Sequence, residues 1–427
     1  MKKILIKGPN EEVYEHITKN GLKVFIWPSK TNNEVSLTLT VKYGSIHTKF
    51  SVNNKKYSVP IGTAHFLEHI KFNESAGKTA HDYFSSHGTY VNAYTTYDHT
   101  SYEVTCNKNI EDNLKHLLFF VYNDYFTKGL IEKEKPIIVE ESKMVLDNPY
   151  NKGYRALANN LYINSNRKFL ITGEEQDINS ITKDDVLNVF NNYYHPNNMF
   201  LVVCGNVNVD DIINVVDDFM LYHRFDKYTN PVWLNDKEPL KVKKVNDEIK
   251  VNVSMAKLML SIKLPIDNFK DYDKIKTMNL IDLLLDINYG PTSVFNECLI
   301  NKDLKDEFYY YLSYEEEHIV INFEISTKYP SKVLDLVLNK FKNLDIDEES
   351  FNRKIKAAIA SSILGFEDPI SVNSIIRGFY IKYAKLIDNY PDIIKSLSVK
   401  DLNNIKKCLS NYVYTSMVLM PNLTNND

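Results

Sequence analysis

The sequence predicts an α+β fold of two homologous domains, each a mainly antiparallel β-sheet packed with helices on one face. Residues 34–44 alternate apolar and polar side chains, which is the period-2 pattern of a half-buried strand. Residues 110–125 place apolar side chains at helical spacing. Both kinds of pattern return in a similar order in the second half of the chain, which indicates a duplicated unit.

The clearest sign of duplication is a pair of helix starts. Thr182 and Asp185 are spaced as in a capping box, and the apolar run 199–204 follows the predicted helix. Ser398 and Asp401 have the same spacing and also lead to an apolar run. A further correspondence pairs Asp147-Asn148-Pro149 with Glu367-Asp368-Pro369.

Length and composition indicate a two-domain globular protein. At 427 residues the chain is long for one core, so we predict domains at 1–227 and 249–427. Residues 228–248 contain two prolines and several lysines and are interpreted as the linker. A content of 44% hydrophobic and 25% charged residues, with a net charge of −4, gives no reason to expect nucleic acid or an anionic membrane as a partner.

Targeting and cysteine patterns are also informative. In residues 1–9, two lysines are followed by only three apolar residues before the next lysine, too few for the apolar region of a signal peptide. No apolar run is long enough to span a bilayer, so we predict a cytoplasmic protein. The four cysteines are far apart and form no C-x-x-C, which argues against a disulfide framework or a thiolate zinc site.

Other elements of the first half follow from local patterns. Residues 21–28 predict a strand closed by proline, and a helix is predicted from about 63 to 72. Residues 89–104 predict two joined strands. A further helix is predicted from about 131 to 146, with Pro136 in its first turns, where a missing N–H costs least.

The helix predicted at 63–72 carries the pattern H-x-x-E-H, formed by His65, Glu68 and His69. Residues three and four apart lie on one face of a helix. Two neutral imidazoles on that face can bind one Zn²⁺, and the neighbouring carboxylate can accept a proton from water. The alternative is a half-buried histidine pair with a structural role only.

A zinc site with two histidines lacks one protein ligand. In the helix predicted at 131–146, Glu134 and Glu141 are seven residues apart and therefore lie on one stripe, from which Glu140 is rotated away. We expect Glu132 and Glu140 to lie on a solvated face. Glu141 is the candidate third ligand.

The second half lacks these groups. No H-x-x-E-H occurs there, and the internal alignment places Lys354 opposite Glu134 and Ser361 opposite Glu141. The simplest interpretation is a duplicated α+β unit in which only the first copy holds a metal.

Asn92 and Ala93 interrupt an aromatic and β-branched run in the predicted strand pair. One interpretation is a bulge or turn, and the other is a strand edge that lets another backbone approach. The residues themselves leave both interpretations open.

Several motifs, which follow one another in the same order as in the family, resemble the pitrilysin/insulinase family of inverted zinc metallopeptidases. This family includes insulin-degrading enzyme and mitochondrial processing peptidase. The resemblance covers residues 21–220 well and the rest loosely. The matching stretches are Gly62 to His69, Asn92-Ala93-x-Thr95-x-x-Asp98-x-Thr100-x-Tyr102, Glu132 to Lys135 with Val139-Glu140-Glu141, Tyr193-Tyr194-His195-Pro196-x-Asn198-Met199, and Gly205-Asn206-Val207.

The resemblance implies roles for the residues of the H-x-x-E-H helix and of the acidic helix. It implies Zn²⁺ as the cofactor, with His65, His69 and Glu141 as its ligands. Glu68 would be the general base, and Glu134 would support the metal ligands without binding the metal itself.

The resemblance also implies a substrate and partners. The strand with Asn92 and Ala93 would be an edge onto which a peptide substrate adds as an extra strand. The chain resembles the short bacterial members, so we expect a homodimer, or a heterodimer with a related subunit that lacks the motif. The expected function is a zinc-dependent endopeptidase acting on peptides or small extended protein segments in a chamber closed by the second subunit.

Two other functions stay open. One is a catalytically weak assembly or peptide-binding subunit of a heterodimer, and the other is zinc-dependent hydrolysis of a different bond. A departure from the family bears on the first. Many relatives carry an arginine and then a tyrosine in the second half, but residues 292–301 contain no arginine. Four tyrosines follow on a predicted strand, and we expect them to pack as aromatic side chains: Tyr309, Tyr310, Tyr311 and Tyr314. If the arginine and the tyrosine of the family are supplied, a partner subunit is another source of them.

Overall fold

The computed structural model describes residues 1–422, which form two compact units. The first unit consists of residues 1–143, 170–235 and 362–390. The second consists of residues 144–169, 236–361 and the described residues from 391 onward. Each unit therefore includes a segment from the other half of the sequence. The boundaries predicted at 1–227, 228–248 and 249–427 stay a prediction, and residues 423–427 lie outside the described part.

The first unit contains twelve strands and eight α-helices among its described residues. Its strands are β1 (Lys2–Ile6), β2 (Glu11–Ile17), β3 (Lys23–Pro28), β4 (Val35–Val41), β5 (Lys49–Val52), β6 (Lys55–Ser58), β7 (Asn73–Ser75), β8 (Lys78–Thr79), β9 (Tyr90–Thr95), β10 (Thr100–Cys106), β11 (Met199–Gly205) and β12 (Val232–Trp233). Its helices are α1 (Thr63–Lys71), α2 (Ala80–Ser86), α3 (Ile110–Tyr122), most of α4 (Lys128–Asp147), α6 (Glu175–Ser180), α7 (Lys183–Tyr193), α8 (Val209–Tyr222) and α13 (Pro369–Tyr383).

The second unit repeats much of this order. Its strands are β13 (Asn246–Val251), β14 (Lys257–Pro265), β15 (Phe308–Tyr314), β16 (His318–Ser326) and β17 (Val413–Pro421). Its helices are α5 (Pro149–Leu161), α9 (Lys274–Tyr289), α10 (Val294–Asn301), α11 (Pro330–Lys342), most of α12 (Glu348–Leu364), most of α14 (Tyr390–Lys395) and α15 (Val399–Cys408).

The main sheets of the two units share a five-stranded arrangement, which β1 and β2 extend to seven strands in the first unit. The first has the order β1-β2-β3-β11-β4-β10-β9, and the second has the order β13-β17-β14-β16-β15. In each sheet one pair is parallel, β3 with β11 and β13 with β17, and the other pairs are antiparallel. The predicted α+β fold of two related, mainly antiparallel units is therefore confirmed.

Helices cover both faces of the first sheet. On one face α1, α3, α7 and α8 enclose a large core that includes Phe66, Leu117 and Val216. On the other face α13 packs Val372 and Ile376 against strand residues such as Phe25 and Phe200. In the second unit α5 takes the corresponding place beside β14 and β17. This additional layer was not part of the sequence prediction.

The predicted helix starts are confirmed in detail. Thr182 and Ser398 each accept a hydrogen bond from the third helical N–H, and Asp185 and Asp401 complete the capping boxes. Helices α5 and α13 begin at the corresponding prolines, Pro149 and Pro369. The side chains of Asn148 and Asp368 cap them.

The predicted start of α4 was wrong. The helix begins at Lys128 rather than near residue 131, so Pro136 lies inside it and not in its first turns. Thr127 accounts for the earlier start, because its hydroxyl accepts the N–H of Leu130 at 3.1 Å in the manner of an N-cap.

The predicted linker segment contacts both units through particular residues. Trp233 pairs with Phe50 in the small sheet of the first unit. Glu238 is buried in the second unit, where its carboxylate accepts the backbone N–H groups of residues 163–165 and a hydrogen bond from Lys263.

Candidate metal centre

Helix α1 is anchored in the core by the side opposite the face that carries its two histidines. Phe66, Leu67 and Ile70 are fully buried in the core. Gly62 precedes the helix as its N-cap residue; it has a left-handed φ of 86°, and its carbonyl accepts the N–H of Phe66. Because side chains four apart share a face, this anchoring directs His65 and His69 to the same side.

Helix α4 supplies two carboxylates to these histidines. Glu141 lies 3.6 Å from Nε2 of His65 and 3.2 Å from Nε2 of His69. Glu134 lies 3.2 Å from Nδ1 of His69. The stripe predicted for Glu134 and Glu141 therefore faces the motif helix.

The other acidic residues of α4 point elsewhere. Glu132 and Glu140 are largely exposed and pair with Lys135 and Lys143 on their own helix. They lie on the solvated face, as expected.

The geometry fits a metal ion. One ligand atom from each of His65, His69 and Glu141 lies within 4.8 Å of the others, and this is the one such group of His, Cys, Asp or Glu side chains within residues 1–422. Two imidazoles and one carboxylate form a ligand set of catalytic zinc sites, in which a fourth position takes water or substrate. In the same described range, Nδ1 of His65 is buried without a hydrogen-bond partner.

The hydrogen bond to Glu134 determines how His69 presents its ring. A carboxylate can only accept, so Nδ1 of His69 carries the hydrogen toward Glu134 and Nε2 is left for Glu141 or a metal. Burial alone would lower the pKa of His69, but hydrogen bonding to Glu134 and Glu141 outweighs it and raises the pKa to about 9. Burial lowers the pKa of His65 to about 4, and repulsion from His69 acts in the same direction.

Glu68 sits beside this group in a water-poor setting. Its side chain is buried, and burial raises the pKa of its carboxyl group above the usual value. Thr95 on β9 donates a hydrogen bond of 2.6 Å to Oε2 of Glu68. Sequence reasoning missed this contact, although Thr95 stands in one of the stretches that resemble the family.

Strand β9 is the last strand of its sheet and pairs only with β10 among the described residues. Thr96 donates its N–H to the carbonyl of His99, so the pair 96/99 is hydrogen-bonded and, by antiparallel alternation, the pairs 93/102 and 95/100 are not. The main-chain groups of Ala93 and Thr95 therefore face the open edge.

Asn92 is placed differently from Ala93. Its main chain pairs with Glu103, and its exposed side chain lies on the same face as Glu103, which forms an ion pair with Arg377 of α13. Successive side chains of a strand alternate, so Ala93 and Thr95 point to the α1 face instead. The structure thus brings Ala93 and Thr95 to the side of the motif helix and places Asn92 on the other side.

The second-half region without arginine forms α10, whose Val294 and Ile300 are exposed. The tyrosines that follow lie on β15, as predicted. Tyr310 packs against Phe323, whereas Tyr309 and Tyr311 are exposed. The expected aromatic packing therefore applies to only part of this group.

Fold and site together define a class of protein. The first unit carries an H-x-x-E-H helix with the carboxylates of an acidic helix beside it, and H-x-x-E-H is the pattern that marks the inverted zinc metallopeptidases. Comparison with known proteins identifies the family within this class.

The profile described as Insulinase (Peptidase family M16) matches residues 23–172, and the profile described as Peptidase M16 inactive domain matches residues 180–358. The uncharacterized zinc protease YmfH of Bacillus subtilis is 33% identical over 309 residues, which cover 72% of each chain. The beta subunit of the mitochondrial-processing peptidase of Caenorhabditis elegans is 26% identical over 162 residues, 37% of this chain and 35% of that one. This chain belongs to the insulinase family, peptidase family M16.

The fold is shared with solved structures. An M16-like peptidase from Alicyclobacillus acidocaldarius superposes with a TM-score of 0.89 at 24% identity, covering 96% of this chain and 99% of the other. No helix within residues 1–422 of the present chain is long and apolar enough to cross a lipid bilayer.

Proposed function

We propose that this protein is a zinc-dependent endopeptidase. The observation that carries the proposal is the convergence of His65, His69 and Glu141, with Glu68 beside them, in a member of a peptidase family. Its similarity to proteins named as zinc proteases supports the same activity.

In this proposal the two histidines and Glu141 hold the zinc ion, and Glu134 holds His69 in the required orientation. When bound, zinc supplies Lewis-acid polarisation of a peptide carbonyl and lowers the pKa of water to about 7.

Glu68 performs the proton transfers. It accepts a proton from water as the water oxygen adds to the peptide carbonyl, and it delivers that proton to the nitrogen of the leaving amine. Its burial suits this role, because burial raises the pKa of the carboxyl group toward the pH at which the enzyme works. A group whose pKa lies near that pH can both accept and release a proton.

The open edge of β9 is the proposed substrate site. An extended peptide would pair with the outward main-chain groups of Ala93 and its neighbours, and Asn92 would contact it from the opposite face of the sheet. Main-chain pairing depends little on side chains, so we expect broad sequence tolerance.

We further propose that the chain acts in the cytoplasm as a homodimer or with a related subunit that completes the substrate chamber. The alternative, a peptide-binding subunit of low activity, is favoured by one specific observation. Residues 292–301 contain no arginine, although many relatives carry one there.

The test measures zinc content and cleavage of a mixed peptide library for the wild type and for Glu68→Gln, each with and without co-expressed candidate partners. We expect both proteins to bind zinc and cleavage to fall by about 100-fold or more in the variant. Glu140→Gln, on the exposed face of α4, is the matched control and should cleave like the wild type.

The outcomes separate the hypotheses. Zinc binding without cleavage under any condition would support the peptide-binding alternative. Absence of zinc from the wild type would refute the site.

A further inference from the structure

Thr95 connects the buried Glu68 to the strand that borders the open edge. Its hydroxyl oxygen lies 2.6 Å from Oε2 of Glu68, a distance typical of a hydrogen bond from a hydroxyl to a carboxylate. Because Glu68 lies on α1 and Thr95 on β9, this bond links the helix of the metal centre to the last strand of the sheet.

The surrounding hydroxyls direct the proton of Thr95 toward Glu68. Thr100 lies 3.3 Å from the Thr95 hydroxyl, but its own O–H donates to the carbonyl of Tyr43 at 3.0 Å. A threonine has one hydroxyl hydrogen, and the charged carboxylate at 2.6 Å is a stronger acceptor for it than a hydroxyl at 3.3 Å. Glu68 therefore has one oxygen held by Thr95.

The main chain of the same residue lies at the open edge. Thr95 forms a non-hydrogen-bonded pair with Thr100, so its N–H and C=O are directed away from β10. One residue thus offers its backbone to a docked strand and its side chain to the proposed base.

We propose that Thr95 is a positioning residue for Glu68. Its hydroxyl orients the carboxylate so that the other oxygen faces the reacting water, and its place on β9 fixes that oxygen relative to a peptide paired with the strand. The inference rests on the proposed peptidase function and adds a residue that determines the rate of the chemical step.

The test compares Thr95→Val, which keeps the shape and removes the hydroxyl, with Thr95→Ser, which restores it. Thr105→Val, on the neighbouring strand β10, is the matched control. For Thr95→Val we expect kcat to fall about 10- to 100-fold, the range that follows from losing a hydrogen bond to a charged group. KM and zinc affinity should stay within about twofold, because neither substrate binding nor the ligands are altered.

Further measurements distinguish positioning from a structural role. Thr95→Ser should recover most of kcat, and Thr105→Val should match the wild type. Zinc affinity, from competition with a chelator, should be alike in all four proteins, and all four should unfold cooperatively. The thermal unfolding midpoint of Thr95→Val is expected to be lower, because the buried carboxylate of Glu68 loses a hydrogen bond.

Several results would overturn the inference. These are a wild-type kcat in Thr95→Val, a parallel loss of zinc affinity, and a failure of serine to restore the rate. Inactivity of the wild type itself would instead refute the proposed function, on which the inference depends.

Discussion

At the scale of single residues, the orientation of His69 depends on a carboxylate that is not itself a proposed ligand. Glu134 accepts the hydrogen on Nδ1 at 3.2 Å and so leaves Nε2 directed at Glu141. Without this partner the ring is free to rotate and to exchange its tautomer, and the two histidines lose their common geometry.

Glu134→Gln is therefore expected to weaken zinc binding by about 10- to 100-fold, the range found for groups that support metal ligands. The charge and its strong hydrogen bond are lost, although the ligands remain. Competition with a zinc chelator measures the affinity, and Glu140→Gln removes a carboxylate from the same helix without touching the site. Equal affinities of Glu134→Gln and the wild type would contradict this role.

Part of the site could be predicted from sequence and part could not. Helical spacing suffices to bring His65, Glu68 and His69 to one face and to align Glu134 with Glu141. The contact of Thr95 with Glu68 joins residues 27 apart in the chain, on different elements. It depends on how a strand lies beside a helix, which local periodicity does not encode.

At the scale of elements, the two helices of the site are held by one loop. Gly62, at the start of α1, lies so close to Thr172 that an added Cβ would come within 2.3 Å of the carbonyl oxygen of Thr172. In the same loop the carbonyl of Gly173 accepts a hydrogen bond of 2.8 Å from Ser142, the neighbour of Glu141 on α4. The loop therefore fixes α1 and α4 relative to each other.

Gly62→Ala is expected to destabilise the protein and to weaken zinc binding together. Gly88→Ala is the matched control, because that glycine also has a positive φ but its Cβ would meet open space. We expect a loss of about 1 kcal/mol for Gly88→Ala. For Gly62→Ala, steric overlap raises the loss to about 2–4 kcal/mol.

Urea unfolding and zinc competition measure the two effects of these alanine variants. Equal stability losses, with unchanged zinc affinity in both variants, would show that the loop does not set the position of α1.

Some elements could be predicted from local sequence signals, and others lack such a signal. The capped helices at Thr182 and Ser398 carry their start signals in sequence. The start of α4 was missed because Thr127 lacks an acidic residue three positions later, so no capping box marks it. Strand β11 is buried at all seven positions, and its unbroken apolar run is the signal that a second layer covers the sheet.

At the scale of the whole molecule, the duplication is matched by an exchange of helices. Helix α5 comes from the first half of the sequence but belongs to the second unit, and α13 comes from the second half but belongs to the first. The sequence shows only that the two Pro-containing stretches that begin these helices, at Pro149 and Pro369, correspond. Which sheet each helix covers could not be predicted, because an amphipathic pattern identifies an apolar face but not its partner.

The exchange predicts that residues 1–235 do not fold alone. Without α13, one face of the first sheet exposes large apolar side chains to water, among them Phe25, Trp27, Phe200 and Val202. Each such side chain costs roughly 1.5–3 kcal/mol when exposed, and together they rival the 5–15 kcal/mol that stabilise a typical domain. We expect this fragment to aggregate or to lack fixed tertiary structure by near-ultraviolet circular dichroism.

Joining residues 362–390 to that fragment through a flexible linker restores α13 and should restore a soluble, cooperatively folded unit that binds one zinc ion. The same fusion with Ile376→Asp is the matched control, because a charge at this buried position prevents the helix from covering the sheet. If residues 1–235 alone fold and bind zinc as tightly as the fusion, α13 is dispensable and the first unit is independent of the second half of the chain. If only the fusion with an intact apolar face folds, the exchanged helix is what makes both halves of the sequence necessary for one metal centre.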